Sequence, residues 1–94
     1  MAFGTIKADV IQGTSVSLDL SVASQFEFSG DVLPDVDNSR DIGSPSLRFA
    51  NIYTGDLHLA NDRGDWTVIE EDEYLSLRNN KTGKTFRLLM EEVD

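Results

Sequence analysis

Few residues in this sequence are of types that could carry out chemistry, and their spacing suits few reactions. There is one histidine, His58, and no cysteine, so thiol nucleophiles, disulfides and cysteine zinc sites are excluded together. A hydrolase or transferase needs a nucleophile held beside a base, or a cluster of metal ligands. Any such site built on an imidazole would have to use His58. In the string Gly55-Asp56-Leu57-His58-Leu59, alternation puts Asp56 and His58 on one strand face, opposite Leu57 and Leu59. Around a three-fold axis, three copies of that pair could converge on a metal ion. A single imidazole on a half-exposed strand is ordinarily an outward polar residue, so neither a metal nor any other cofactor is expected.

Carboxylates are plentiful, with 17 Asp and Glu against 8 Lys and Arg. Two of them flanking a groove would serve glycoside hydrolysis, but abundance does not place them there. Glu70, Glu71, Asp72 and Glu73 are consecutive at a strand corner, where like charges seek water and discourage stray strand pairing. Asp31, Asp35 and Asp37 match a calcium loop only in part, without its glycine or closing glutamate. Arg63-Gly64-Asp65 reads as ordinary turn chemistry. The 7 glycines lie too far apart for a phosphate loop or a dinucleotide fingerprint. Trp66 and Tyr53 are rings on which a sugar could stack, with nearby Asp or Asn bonding its hydroxyls. In a chain with five Phe, two Tyr and one Trp, however, most rings are expected to fill a small core. No catalytic residue is assigned, and the chain is not expected to be an enzyme.

The charge balance bears on partners. At a formal charge of −9 the chain is repelled by phosphate backbones and anionic headgroups, so neither nucleic acid nor membrane is expected as a partner. No run approaches the roughly 18 apolar residues of a membrane span. The stretch from Met1 to Gly13 lacks the basic start and apolar centre of a secretory signal. A length of 94 residues makes one small domain. Such a chain buries only about 60 to 65% of the surface its unfolded form exposes, and association with further copies is expected to supply the missing burial.

The elements that would position these residues are strands. Ile6, Ala8 and Val10, and then Val16, Leu18, Leu20 and Val22, alternate with polar residues, which predicts strands with one apolar face. Gly30 to Pro45 holds both prolines and many turn formers and reads as an ordered loop, with a disordered linker as the alternative. Asp56 to Leu59 predicts another strand. Beyond it, Trp66 to Glu70, Tyr74 to Asn79 and Lys84 to Met90 predict an antiparallel meander, with Trp66 and Val68 sharing a side, Leu75 and Leu77 another, and Phe86, Leu88 and Met90 a third. Gly83, in the loop Asn80-Lys81-Thr82-Gly83, is free to take positive φ. The fold class is all-β, in three segments: an N-terminal strand segment over 1–30 for anchoring or strand exchange, a turn-rich segment over 31–60, and the meander over 61–94.

The string Arg40-Asp41-Ile42-Gly43-Ser44-Pro45-Ser46-Leu47-Arg48-Phe49-Ala50-Asn51-Ile52-Tyr53-Thr54-Gly55-Asp56-Leu57-His58-Leu59 resembles segments of tail fibres and short fibre-like structural proteins of tailed bacteriophages, notably those of marine bacteria. The resemblance continues through Asn61 to Glu70 and Asn79 to Lys84, and so covers roughly residues 38 to 93. It implies a homotrimeric, non-enzymatic, β-rich fibre or spike module located in the virion and assembled in the host cytoplasm. Its partners would be itself, other virion proteins and, for an attachment role, a host surface glycan. In such a motif Gly43 would permit a tight turn, Arg48 would pair with an aspartate such as Asp41 of its own or an adjacent chain, and Phe49, Ile52 and Tyr53 would pack at the trimer interface. Fibres of this kind are longer and carry a separate receptor-binding tip. With no evident tip here, a short spike, a connector or a decoration protein is expected. The alternatives are a capsid cement protein on the phage head and a carbohydrate-binding host adhesin.

Overall fold

A computed structural model of the chain describes residues 4–94. The chain divides into two compact units, Met1–Leu33 and Pro34–Asp94. Among the described residues, all regular structure lies in the second. It consists of four strands, β1 Leu57–Ala60, β2 Asp65–Glu70, β3 Leu75–Asn79 and β4 Thr85–Arg87, paired antiparallel in the order β1-β2-β3-β4. No helix occurs among the described residues, and the protein is all-β.

Backbone hydrogen bonds close each turn of this meander, and asparagine side chains cap two of them. Between β1 and β2, the Asn61 amide donates to the Gly64 carbonyl at 2.9 Å, and Asn61 Oδ1 accepts from the Arg63 amide at 2.8 Å. That is the self-capping geometry for which asparagine is favoured in turns. The acidic corner between β2 and β3 is closed by the Glu71 amide on the Tyr74 carbonyl at 2.8 Å. In the last turn Asn79 Oδ1 accepts from the amides of Lys81 and Thr82, at 3.0 and 3.3 Å, and Gly83, at φ 79°, returns its amide to the Asn79 carbonyl at 2.8 Å.

The register decides which side chains share a face. Leu57, Val68, Leu77 and Phe86 stand in one row across all the strands, and Leu59 is opposite Trp66 in the next. Leu75 lies on the same side, opposite Glu70. The other face carries His58, Thr67, Arg78 and Thr85 in one row and Ile69, Ser76 and Arg87 in the next. The faces predicted strand by strand therefore fuse into one apolar and one largely polar surface. The Trp66 and Phe86 rings sit 6.0 Å apart between centroids on the apolar side.

The expectation that aromatic residues fill a core is corrected here. Among the described residues no apolar side chain is buried. The buried ones are Thr67 and Ser76, on the polar face. A sheet buries an apolar face only against a second layer, and the sheet has none within its own unit.

Residues 4–33 contain no strand. Among the described residues, the alternating stretches at 6–10 and 16–22 find no backbone hydrogen bond. A ladder needs a partner edge, and alternation alone does not supply one. Here Phe26 and Phe28 stack with ring centroids 4.9 Å apart, and the Gln25 side chain donates to Glu27. Residues 1–3, the start of the expected N-terminal segment, lie outside the described residues.

In the turn-rich run, Arg40 grips Asp35 at two points, Nε to Oδ1 at 2.9 Å and Nη2 to Oδ2 at 3.1 Å. Both side chains are exposed, so the pair is worth no more than about 1 kcal/mol. Gly43, at φ 83°, opens a tight turn in which the Ser44 amide donates to the Leu47 carbonyl at 2.9 Å and the Leu47 amide to Ser44 Oγ at 3.1 Å.

No neighbouring atom lies within 4 Å of the place a Cβ on Gly83 would take, so any penalty for a side chain there comes from the backbone conformation alone. Gly83→Ala is expected to lower stability by about 1 kcal/mol and Gly83→Asn by less, because asparagine tolerates positive φ. Urea denaturation of the two variants checks the order.

Candidate functional site

On the polar face, pairing of β1 with β2 sets His58 opposite Thr67, and Asn80, just past β3, reaches back to Thr67 and Asp65. Asn80 Nδ2 donates to Asp65 Oδ1 at 2.9 Å and to Thr67 Oγ1 at 3.0 Å. Thr67 Oγ1 lies 3.1 Å from His58 Nδ1 and can donate to it when that nitrogen is unprotonated. The result is a chain of hydrogen bonds from carboxylate through amide and hydroxyl to imidazole. A hydroxyl at this distance from an imidazole has the spacing of a nucleophile and its base. Thr67 is only 5% exposed, however, and its oxygen is already engaged by Asn80, so a substrate has no approach to it. The cluster satisfies a buried hydroxyl. Ser76, 2% exposed, is served in the same way by Glu71, whose Oε2 accepts its hydroxyl at 2.9 Å.

Asp56 directly precedes β1, where His58 lies. Among the described residues, no group of three or more His, Asp or Glu within one chain is placed to hold a metal ion.

Phe49, Ile52 and Tyr53 are 65%, 74% and 94% exposed. A Cβ on Gly43 would come within 3.5 Å of Phe49 Cδ2 and 3.2 Å of the Leu47 carbonyl oxygen, so the absent side chain lets the ring lie against the turn. An open cleft of about 450 Å³ is lined there by Ser46, Leu47, Arg48 and Phe49. Within one chain Arg48 does not pair with Asp41. The ion pair found among the described residues is Arg40 with Asp35.

Trp66 is half-buried and lines a second open cleft, of about 490 Å³, with Leu59, Asn61, Arg63 and Gly64. Tyr53, the other ring considered for sugar stacking, is not among the residues lining that cleft.

Sequence reasoning missed the Asp65, Asn80, Thr67 and His58 cluster and two further features. One is the joining of separate strand faces into a continuous apolar surface, which depends on cross-strand register and leaves no signal within a single strand. The other is the Arg87 guanidinium set over the Tyr74 ring at 4.0 Å, a cation–π contact between residues far apart in sequence.

Comparison of the chain with protein-family models, with curated proteins and with solved structures finds no match.

Replacing the Thr67 hydroxyl removes the centre of the polar cluster and leaves His58 and Asn80 each without one partner. Thr67→Val is expected to cost about 1 to 3 kcal/mol, and His58→Ala less than that, as read by urea denaturation. Addition of a chelator is expected to leave the melting temperature unchanged. A drop on chelation that His58→Ala abolishes would restore a metal role for Asp56 and His58.

Proposed function

We propose that this chain is a non-enzymatic structural component of a tailed-phage virion, a homotrimeric fibre, spike or connector associated with the tail. The observation that carries this reading is the absence of any buried apolar side chain among the described residues. The chain exposes 9895 Å², whereas a folded monomer of its mass exposes about 5,400 Å². A sequence that is 39% hydrophobic and leaves that much surface uncovered is suited to burying it against other chains. The fibre-like string from Arg40 to Leu59 supplies the class of assembly. Residues matching it, Phe49, Ile52 and Tyr53, present exposed apolar surface of the kind a subunit seam uses. Arg48 has no carboxylate partner within the described chain and is placed by this reading against an aspartate such as Asp41 of a neighbouring copy.

Location in the virion, after assembly in the host cytoplasm, and contacts with other virion proteins follow from the same reading. A capsid cement role on the head would use the same trimer and differ in the particle surface it binds. One observation favours a carbohydrate-binding adhesin instead, the open cleft in which Trp66 stands beside Asn61 and Arg63. A glycan array probed with the purified protein separates the two classes, since a structural part gives no selective signal.

Mass measurement under native conditions is the direct test. Three chains of 10.4 kDa give a particle of about 31 kDa, and a 10.4 kDa species persisting at micromolar concentration would exclude this role. Three copies carry three times −9, or −27, so the trimer is expected to tighten as added salt screens the repulsion. Sedimentation across a salt series reads that sign.

A further inference from the structure

We propose that the chain of hydrogen bonds from Asp65 through Asn80 and Thr67 to His58 is a proton-operated clasp on the edge strand β1, closed while the imidazole is neutral and loosened when the ring takes up a proton. This concerns a single chain and stands apart from the assembly reading above.

The direction of the chain is set at its far end. Asp65 Oδ1 is a carboxylate oxygen and only accepts, so the Asn80 atom 2.9 Å from it is the amide nitrogen. The same nitrogen lies 3.0 Å from Thr67 Oγ1 and donates there as well. Turning the amide over would set oxygen against oxygen at Asp65. Thr67 Oγ1 therefore accepts from Asn80, and its own proton is left for the partner on the other side, His58 Nδ1 at 3.1 Å. That bond forms only when Nδ1 carries no proton, which assigns the ring its neutral form with the proton on Nε2.

A protonated ring reverses the last link. Nδ1–H becomes a donor, Thr67 Oγ1 receives two donors, and the hydroxyl proton loses its acceptor, since the side-chain partners of Thr67 among the described residues are Asn80 and His58. Thr67 is 5% exposed, so water does not fill the gap, and a buried donor without a partner is costly. His58 itself is exposed and open to protons from solvent. The strand it holds is weakly fixed otherwise: β1 has four residues, all exposed, and stands at the edge of the sheet, paired only with β2.

Charged groups around the ring pull both ways. Asp56 directly precedes β1, Asp65 lies on the same face of β2, and Arg78 of β3 stands opposite Thr67, while β4 adds Thr85 in the His58 row and Arg87 in the next. The carboxylates favour an imidazolium and the guanidinium groups oppose it. Asp56, Arg78 and Arg87 are exposed and act through water, where such couplings are weak, and Asp65 is already engaged by Asn80. The buried hydroxyl decides the sign, and acid loosens β1.

The test is NMR on the full chain at about pH 7.5 and about pH 5.5, either side of the ordinary imidazole range. The ring nitrogens of His58, the single histidine, report the tautomer, and amide exchange, corrected for its intrinsic pH dependence, reports how firmly β1 is held. Expected at the higher pH is a ring protonated on Nε2 and bare on Nδ1. At the lower pH, protection of the β1 amides is expected to fall at least about threefold, with a smaller change in β3. His58→Asn puts a side-chain oxygen where Nδ1 stood and does not titrate, and Thr67→Val has no hydroxyl proton to place; both are expected to lose the fall. The wild-type measurements stand even if a variant fails to fold. A ring carrying its proton on Nδ1 at the higher pH overturns the proposal. So does β1 protection that is unchanged or rises in acid, or that falls equally in His58→Asn.

Discussion

A β-sheet with one apolar face is stable in water only when something covers that face. In this chain the sheet is a single layer, and no apolar side chain is buried among the described residues. Burial of apolar surface contributes about 25 cal/mol per Å² and is the main favourable term in folding. A domain that forgoes it in the isolated chain depends on turn chemistry and backbone ladders. Both are present: Asn61 and Asn79 cap their own turns, and three antiparallel pairings hold the meander.

The polar face shows how the same constraint shapes the rest. Thr67 and Ser76 lie on the two central strands, where short side chains are overhung by longer neighbours. An unpaired buried hydroxyl costs about 1 to 3 kcal/mol, and here each is engaged, Thr67 between His58 and Asn80 and Ser76 by Glu71. The histidine that looked most like a chemical group in the sequence is thus tied to a structural hydroxyl. Catalysis requires reactive atoms that a substrate can approach, and a threonine 5% exposed does not offer that.

How far the fold could be read from sequence follows from which interactions are local. Alternation placed Leu57 and His58 on opposite faces, Trp66 with Val68, and Leu75 with Leu77, because direction along a strand depends only on period two. Positive φ at Gly83 was legible because glycine adopts it without strain, whereas at Gly43 the fibre resemblance implied only a tight turn. The joint surface was not legible: whether Leu57, Val68, Leu77 and Phe86 align depends on the lengths of the intervening turns. Nor could alternation in residues 6–10 and 16–22 reveal that no edge among the described residues pairs with them. The Asp65, Asn80, Thr67 and His58 cluster was hidden for the same reason, since β2 and β3 must pair before Asn80 reaches Thr67.

Charge at the two ends of the sheet bears on how copies could be oriented. The β2–β3 corner carries Glu70, Glu71, Asp72 and Glu73, whereas the opposite end carries Arg63, Lys81 and Lys84 against Asp62 and Asp65. A parallel trimer brings three acidic corners together, three times four carboxylates, while an antiparallel pair sets each acidic corner near a basic end. At low ionic strength the second arrangement is favoured by charge alone, because the Debye length of about 30 Å at 0.01 M exceeds the width of a four-stranded sheet. Near 0.15 M it falls to about 8 Å, the corners cease to repel strongly across an axis, and apolar contact dominates. A three-fold assembly of this chain therefore requires an apolar seam strong enough to hold like-charged corners on the same side, and salt acts on the number of copies as well as on their affinity.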